Sequence, residues 1–250
     1  MRKNITLEPT NNLIESKPMP SLDFDGEYGQ SYSRSIRHSI PGYDVLHEIA
    51  IAAVRVYSAT ARRVLVVGPG PGEQLTQLLS ACPNAQLFVL EPSQKMLNSC
   101  KKSIERAPGQ QRCILKQGEL DQATLARLNS ENFDLVICHN VLHLFDKKKQ
   151  MAMLKLLAEV TAVGGELLLS GYSEPEQQGA TEQIMDVGLQ RLRDRGLTDE
   201  QVDAIRTTRN KVVFSMDQML ISRVLKSENI SEPLLLYQGL FSRLWISSRK

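Results

Sequence analysis

The chain has 250 residues, of which 42% are hydrophobic and 23% are charged, and its formal net charge at pH 7 is +2. This length and composition allow a sizeable buried core and exclude an intrinsically disordered chain. The nearly balanced charge gives no support for a nucleic-acid-binding or membrane-binding surface.

The N-terminus and the cysteines favour a cytoplasmic protein. The first residues, MRKNITLEPTNN, lack the apolar core of a signal peptide, and no run of about 18 apolar residues occurs anywhere. The four cysteines show no C-x-x-C spacing. We therefore expect free thiols and no metal site, with Cys113 and Cys138 buried in strands.

The N-terminal part, residues 1–58, is predicted to be a polar arm followed by a helical lid. Pro41 and Gly42 interrupt the segment, and an apolar pattern with helical spacing follows them. We assign five residues to the buried face of this helix: Val45, Leu46, Ile49, Ala52 and Val56.

From residue 59 onward, strand-like and helix-like segments alternate. The strand-like runs are RVLVV, QLFVLE, CILKQ, FDLVICH and GELLLSG. The helix-like segments between them are EQLTQLLSA, SQKMLNSCKKSIERA, DQATLARL and KKKQMAMLKLLAEV. Apolar strands that alternate with helices predict an α/β fold whose parallel sheet is covered on both faces.

After Gly171 the pattern changes. Residues from about 176 to 226 are predicted to form an entirely helical insertion, a natural place for a lid or a dimer contact. The segment EPLLLYQGLFSRLWISSR then predicts a hairpin of two strands that turns near Gln238 and Gly239. With this antiparallel hairpin, the mostly parallel sheet of the domain at 59–250 would have seven strands.

The loop in VLVVGPGPGEQL follows the first strand of the sheet, where an open parallel sheet binds its ligands. Its spacing is G-x-G-x-G, whereas the dinucleotide fingerprint is G-x-G-x-x-G. The acidic Glu73 would repel a pyrophosphate at the start of the next helix. These features predict an adenosyl ligand without pyrophosphate. The candidate binding residues of the loop are Gly68, Pro69, Gly70 and Gly72.

Polar residues also follow the later strands. Glu91 ends the second strand, and its carboxylate can accept hydrogen bonds from both hydroxyls of a ribose. The segment QGELD can receive an adenine against a leucine and offer a polar edge to its amino group. The further candidate cofactor-binding residues after these strands are Pro92, Glu119, Leu120, His139 and Asn140.

Taken together, VLVVGPGPGE, the strand-ending Glu91, FDLVICHNVLHLF and the pair Gly164–Gly165 resemble the class I S-adenosylmethionine-dependent methyltransferases over roughly residues 45–172. SIPGYDVLHEI and GLTDEQVDAIRTTRNKVVFSMDQML are similar to the branch that contains the carboxy-S-adenosylmethionine synthases. The resemblance implies the Rossmann-like methyltransferase fold, S-adenosylmethionine as cofactor, and a homodimer with a helical lid. It also implies cofactor-binding roles for Tyr43 and Arg206.

Methyl transfer is an in-line displacement at a carbon bound to positively charged sulfur, so positioning supplies much of the catalysis. Aromatic faces tolerate such a cation, which makes Tyr43 and Tyr172 candidate catalytic residues. His139 is a candidate base toward an acceptor. Asn140 is a candidate for holding the amino group of the cofactor or an acceptor hydroxyl.

These residues do not determine which bond of the cofactor breaks. The leading hypothesis is transfer of the methyl group to a small-molecule acceptor. An alternative is cyclisation of S-adenosylmethionine alone to azetidine-2-carboxylate, with release of methylthioadenosine. Carboxyl transfer to the cofactor and a non-catalytic nucleoside sensor are further alternatives.

Overall fold

The computed structural model describes residues 22–127, 132–177 and 179–250, so most of the predicted arm lies outside the described residues. The strands are β1 (Arg63–Val67), β2 (Gln86–Glu91), β3 (Cys113–Gln117), β4 (Phe133–His139), β5 (Thr161–Tyr172), β6 (Leu234–Gly239) and β7 (Ser242–Ser248). The α-helices are α1 (Glu27–Ser39), α2 (Tyr43–Tyr57), α3 (Leu75–Ala81), α4 (Gln94–Ile104), α5 (Gln122–Arg127), α6 (Lys147–Val160), α7 (Ala180–Asp194), α8 (Asp199–Thr208) and α9 (Gln218–Ser227). Short 3₁₀ turns occur at Gln110–Arg112 and Leu142–Leu144.

The strands form one seven-stranded sheet in the order β3-β2-β1-β4-β5-β7-β6. Strands β1 to β5 pair in parallel, and β7 is antiparallel to both β5 and β6. The predicted parallel sheet with an antiparallel C-terminal hairpin is therefore confirmed. The strand order reverses between β1 and β4, which places a ligand crevice at their carboxyl ends.

The hairpin turns two residues later than predicted. Gly239 still pairs with Ser242, so the turn consists of Leu240 and Phe241. Leu240 adopts the left-handed conformation, with φ 53°. A glycine is a strong local turn signal, but here the strand pairing continues through it.

The two faces of the sheet bury separate apolar clusters, because successive side chains of a strand point to opposite faces. Val64 and Val66 pack with residues of α2, α3 and α4, whereas Leu65 and Val67 pack with residues of α6 and α9. Trp245 of β7 is fully buried in the second cluster. The domain boundary that we predict near residue 58 follows the end of α2, and α2 shares its core with the sheet.

The buried face of α2 differs from the predicted face. Val45 and Val56 are 47% and 73% exposed, and Ala52 is also exposed. Leu46 is buried as predicted, together with Ala50, which we did not predict. The spacing is helical, as predicted, but the buried stripe is rotated by about one residue, or roughly 100°. The buried stripe contains small residues and the buried His47. A search for large apolar side chains does not find residues of these types.

The insertion is not helical throughout, which corrects the prediction. It contains α7, α8 and α9, but residues 209–217 between α8 and α9 form turns and extended chain. The N–H of Phe214 donates to the carbonyl of His143, and that of Met216 donates to the carbonyl of Tyr172. This segment therefore returns to the carboxyl end of the sheet.

The four cysteines are free thiols; Cys138 is buried as predicted, and Cys113 only partly. Within the described ranges, no helix combines the length and apolarity needed to cross a membrane.

Candidate functional site

The loop after β1 turns sharply at its three glycines. Gly68, Gly70 and Gly72 have φ values of 63°, 59° and 76°, a region that side chains disfavour. A Cβ on Gly68 would lie 2.4 Å from Cγ2 of Val141, and one on Gly72 would lie 2.8 Å from Sγ of Cys100. Gly72 therefore lets α4 pack against the loop, whereas Gly68 and Gly70 line the crevice.

Glu91 is the buried acid of the crevice, with 5% of its surface exposed. Its Oε2 accepts from the N–H of Gly70 at 3.1 Å, and its Oε1 accepts from the N–H of Ser93 at 3.0 Å. Burial raises the pKa of Glu91 to about 7, although these backbone donors oppose the rise. Each carboxylate oxygen can accept a second hydrogen bond. Glu91 can therefore bind two neighbouring hydroxyl groups of a ligand.

The acidic residue at the start of α3 is compensated by a base. Nη2 of Arg37 lies 2.8 Å from Oε2 of Glu73 and 2.8 Å from Oδ1 of Asp44. The pairing removes much of the repulsion that Glu73 would exert on a pyrophosphate. The argument against a dinucleotide then rests on the glycine spacing, and no longer on charge.

A cavity of about 490 Å³, called here the large cavity, lies over the carboxyl ends of β1, β2 and β4. The predicted site residues that line it are Gly68, Gly70, Glu91, Pro92, Glu119, Leu120 and Asn140. The structure thus brings together residues from four separate loops of the sheet. Its volume lies within the range of small-molecule sites.

Residues that we did not assign to the site from sequence also line the large cavity. Phe24 and Tyr32 come from the N-terminal segment, and Lys211, Val212 and Phe214 come from the segment between α8 and α9. The aromatic residues at helical spacing in FDGEYGQSY were a usable signal for the first group. The second group carries no motif, because its position depends on how the insertion folds back.

The N-terminal segment is attached to the start of α4. Oδ1 of Asp25 accepts from Oγ of Ser93 at 2.7 Å and from the N–H of Lys95 at 3.0 Å. Nζ of Lys95 donates to the carbonyl of Gly26 at 3.0 Å. These contacts hold Phe24 over the large cavity, next to the strand that carries Glu91.

A second cavity of about 20 Å³, called here the small cavity, lies between the glycine loop and α2. Tyr32, Gly68 and Asn140 line both cavities. The predicted residues Pro69, Tyr43 and His139 line the small cavity only, together with His47 and Gln74, which we did not predict. A space of this volume is large enough for one water molecule or a small polar group.

The rings of the small cavity are buried or half-buried, and they are uncharged at neutral pH. The ring centroids of Tyr43 and His47 are 4.4 Å apart, and those of His47 and His139 are 5.5 Å apart. Burial lowers the pKa of His47 to about 4. Burial and the neighbouring His47 lower the pKa of His139 well below its usual range. Nδ1 of His139 lies 3.0 Å from Oγ of Ser170.

Two buried polar atoms of the small cavity have no hydrogen-bond partner among the described residues. They are Nε2 of His47 and Oδ1 of Asn140. Nδ1 of the same His47 contacts Nε2 of Gln74. Asn140 adopts φ 56°, and its N–H donates to the carbonyl of Ser170 at 2.8 Å. Because an unsatisfied buried polar group costs about 1–3 kcal/mol, these atoms point to a polar ligand group or water.

Three predicted site residues are not among the described residues that line either cavity. The hydroxyl of Tyr172 donates to Oε1 of Glu174 at 2.9 Å, away from the expected place at the crevice. Arg206 forms ion pairs with Glu182 and Asp186 of α7. Gly72 is the third and contacts α4. A cofactor-binding role for Arg206 stays a prediction.

Residues 64–165, which include β1, the glycine loop, Glu91 and Asn140, match a family model described as a methyltransferase domain. Residues 64–165 therefore form a class I S-adenosylmethionine-dependent methyltransferase domain. The sequence resemblance and the predicted cofactor, S-adenosylmethionine, are confirmed at this level. The sheet order is that of the methyltransferase fold.

More distant likenesses extend beyond the methyltransferase domain. A carboxy-S-adenosyl-L-methionine synthase from Colwellia psychrerythraea is 19% identical over 197 residues, which cover 78% of this chain and 79% of the relative. An O-methyltransferase family protein from Burkholderia thailandensis superposes with a TM-score of 0.63 at 18% identity. That match covers 89% of this chain but only 60% of the Burkholderia protein, which is less than two thirds.

The magnesium protoporphyrin IX methyltransferase from Synechocystis, solved with bound S-adenosylhomocysteine, matches over nearly its whole length. Its TM-score is 0.62 at 19% identity, and the match covers 92% of this chain and 98% of that enzyme. At these identities, the structural likenesses show a shared fold.

Proposed function

We propose that the methyltransferase domain transfers the methyl group of S-adenosylmethionine to a small-molecule acceptor. The observation that carries the proposal is that three separate parts of the chain line the large cavity. One wall comes from the methyltransferase domain itself. The other walls come from Phe24 and from Lys211, Val212 and Phe214, which lie outside that domain. A concave space of about 490 Å³ suits a cofactor and a small partner better than a macromolecular surface.

The residues of the two cavities fit this cofactor. We assign the ribose hydroxyls to the free acceptor positions of Glu91, and the adenine to the wall at Leu120 and Glu119. The charged amino-acid end would lie beside the glycine loop, where His47 and Asn140 have buried polar atoms without partners. The cofactor supplies a methyl group on positively charged sulfur, which makes the methyl carbon electrophilic.

The chain then contributes positioning of the cofactor and the acceptor. Asn140 lies at the junction of the two cavities, and its hydrogen bond to Ser170 holds its backbone there. The ring of Tyr32 lines both cavities, and an aromatic face tolerates a cation. In the transfer, an electron pair of the acceptor would form the bond to the methyl carbon, and the carbon–sulfur bond would break with its electron pair on sulfur. A proton released by the acceptor would pass to solvent. His139 and Tyr43 line only the small cavity, so we assign them to positioning of the cofactor.

One incubation tests this proposal against its alternatives. The purified protein is mixed with S-adenosylmethionine alone and then with an extract of small metabolites, and the products are identified by mass spectrometry. We expect S-adenosylhomocysteine and a methylated product only after the extract is added. Methylthioadenosine and azetidine-2-carboxylate from the cofactor alone would establish cyclisation instead. Tight binding without turnover in both mixtures would support a sensor.

Two variants locate any activity in the proposed site. Glu91→Ala should weaken cofactor binding by about 1.5–3 kcal/mol, because it removes charge-assisted hydrogen bonds to the ribose. Glu105→Ala removes an exposed carboxylate at the end of α4 and serves as the control. Equal cofactor affinity of the two variants would contradict the ribose assignment.

A further inference from the structure

Charge in the large cavity is distributed unevenly. Among the described residues that line it, the charged ones are Glu91, Glu119 and Lys211. Glu91 accepts two backbone hydrogen bonds, and Oε2 of Glu119 lies 3.5 Å from Nζ of Lys149. The ammonium of Lys211 has neither an ion pair nor a hydrogen bond within the described part of the chain. The cavity wall therefore carries one cation, Lys211, that no carboxylate pairs with among the described residues.

The backbone around Lys211 is held in place. The carbonyl of Thr208 accepts from the N–H of Lys211 at 3.1 Å and from that of Val212 at 2.9 Å. Asn210 adopts φ 57°, and its N–H donates to the carbonyl of Val213 at 2.8 Å. These bonds close a tight turn, so Lys211 stands on a defined part of the cavity wall.

The neighbouring basic residues of the insertion form ion pairs with acidic residues. Arg206 is paired with Glu182, and Nε of Arg209 lies 2.9 Å from Oε1 of Glu174. Of these three basic residues, Lys211 is the one that lines the cavity and lacks an acidic partner. An unpaired charge at this position has room to meet a ligand instead.

The surroundings of Lys211 restrict the shape of that ligand. Val212 and Phe214 follow it along the wall, and Phe24 lines the cavity from the N-terminal segment. The cofactor adds a second positive charge, on its sulfur. Two cations beside apolar and aromatic side chains favour an anionic group on an apolar body.

We propose that the acceptor of the methyl transfer is an apolar, ring-containing small molecule that bears an acidic group, and that Lys211 binds this group as an oxyanion. The inference rests on the proposed function and names the substrate class for the same site. Lys211 is thus a specificity-determining residue for the acceptor.

The test measures binding to the full chain saturated with S-adenosylhomocysteine. Hydroxynaphthoate and its uncharged analogue hydroxynaphthamide are titrated by calorimetry. We expect the acid to bind about tenfold more tightly than the amide, the effect of one charge-assisted contact. Because Lys211 is exposed, added salt should reduce this preference.

Variants assign the preference to one side chain. Lys211→Gln should abolish it, and Lys211→Arg should retain it. Lys226→Gln removes an exposed lysine of α9 outside the cavity and should leave it unchanged. Equal binding of acid and amide to the wild type, no binding of either probe, or a preference that survives Lys211→Gln would each overturn the proposal.

The design separates this inference from the proposed function. The chain is first titrated with S-adenosylhomocysteine until it is saturated, and this titration reports on the cofactor site alone. Failure to bind S-adenosylhomocysteine therefore counts against the proposed function. Cofactor binding together with methyl transfer, but without preference for the acid, counts against Lys211 only.

Discussion

Replacement of Glu91 by Gln removes the ionisable group at the end of β2 and keeps its size. Burial raises the pKa of this carboxyl group from 4.5 to about 7. Between these values the folded protein holds a proton on Glu91 that the unfolded chain has released. Since the folded state binds more protons, its contribution to stability is complete below about pH 4.5 and is lost as the pH rises through about 7.

The magnitude follows from the same pKa values. Each pH unit between the unfolded and folded pKa corresponds to about 1.4 kcal/mol, so ionisation of Glu91 lowers the free energy of unfolding by about 3 kcal/mol. The Gln variant lacks this contribution at every pH. Its amide N–H₂ also faces one of the backbone donors, at Gly70 or Ser93, which lowers its stability by a constant amount.

The assay is urea unfolding of the cofactor-free wild type and Glu91→Gln between about pH 5 and about pH 8. As the pH rises over this range, the free energy of unfolding of the wild type should fall by about 2–3 kcal/mol relative to that of Glu91→Gln. Cofactor affinity should show the opposite trend in the wild type, since the ionised carboxylate accepts the stronger hydrogen bonds. Parallel stability profiles of the two proteins would refute a raised pKa at Glu91.

Two further variants test contacts around the cavity. Asp25→Asn should speed the release of S-adenosylmethionine in stopped-flow displacement, because Asp25 holds the N-terminal segment to Ser93 and Lys95; an unchanged rate would show that the segment does not restrain release. Gly72→Ala should lower the free energy of unfolding by about 1–3 kcal/mol in urea, through left-handed strain and contact with Cys100. Its folded fraction should bind S-adenosylhomocysteine normally, and weakened binding would instead place Gly72 in the cofactor site.

Much of the fold and part of the site could be predicted from local sequence. The strand bounds at RVLVV, QLFVLE and FDLVICH are correct, because continuous apolar runs between turn-forming residues are a short-range signal. The glycine loop, Glu91 and Asn140 follow directly from those strands. Parallel strands end at one edge of the sheet, so the structure brings these residues to one cavity.

Residues whose position depends on packing could not be placed in this way. Tyr172 directly follows the predicted strand GELLLSG, but its hydroxyl binds Glu174 instead of facing the crevice. The exposed Val45 and Val56 show that helical spacing does not reveal which face of a helix meets the sheet. His47 was passed over because a histidine within an apolar helix carries no local signal.

The sequence by itself determined the order of strands and helices along the chain, the position of the glycine loop and the class of cofactor. Each of these three features depends on residues that lie close together in the chain. Only the tertiary structure decided that Phe24 and Lys211 share a cavity wall with Glu91. It also decided that Arg37 pairs with Glu73 and that Arg206 lies on an ion-paired surface. These arrangements depend on contacts between distant segments, which local periodicity and motif spacing do not encode.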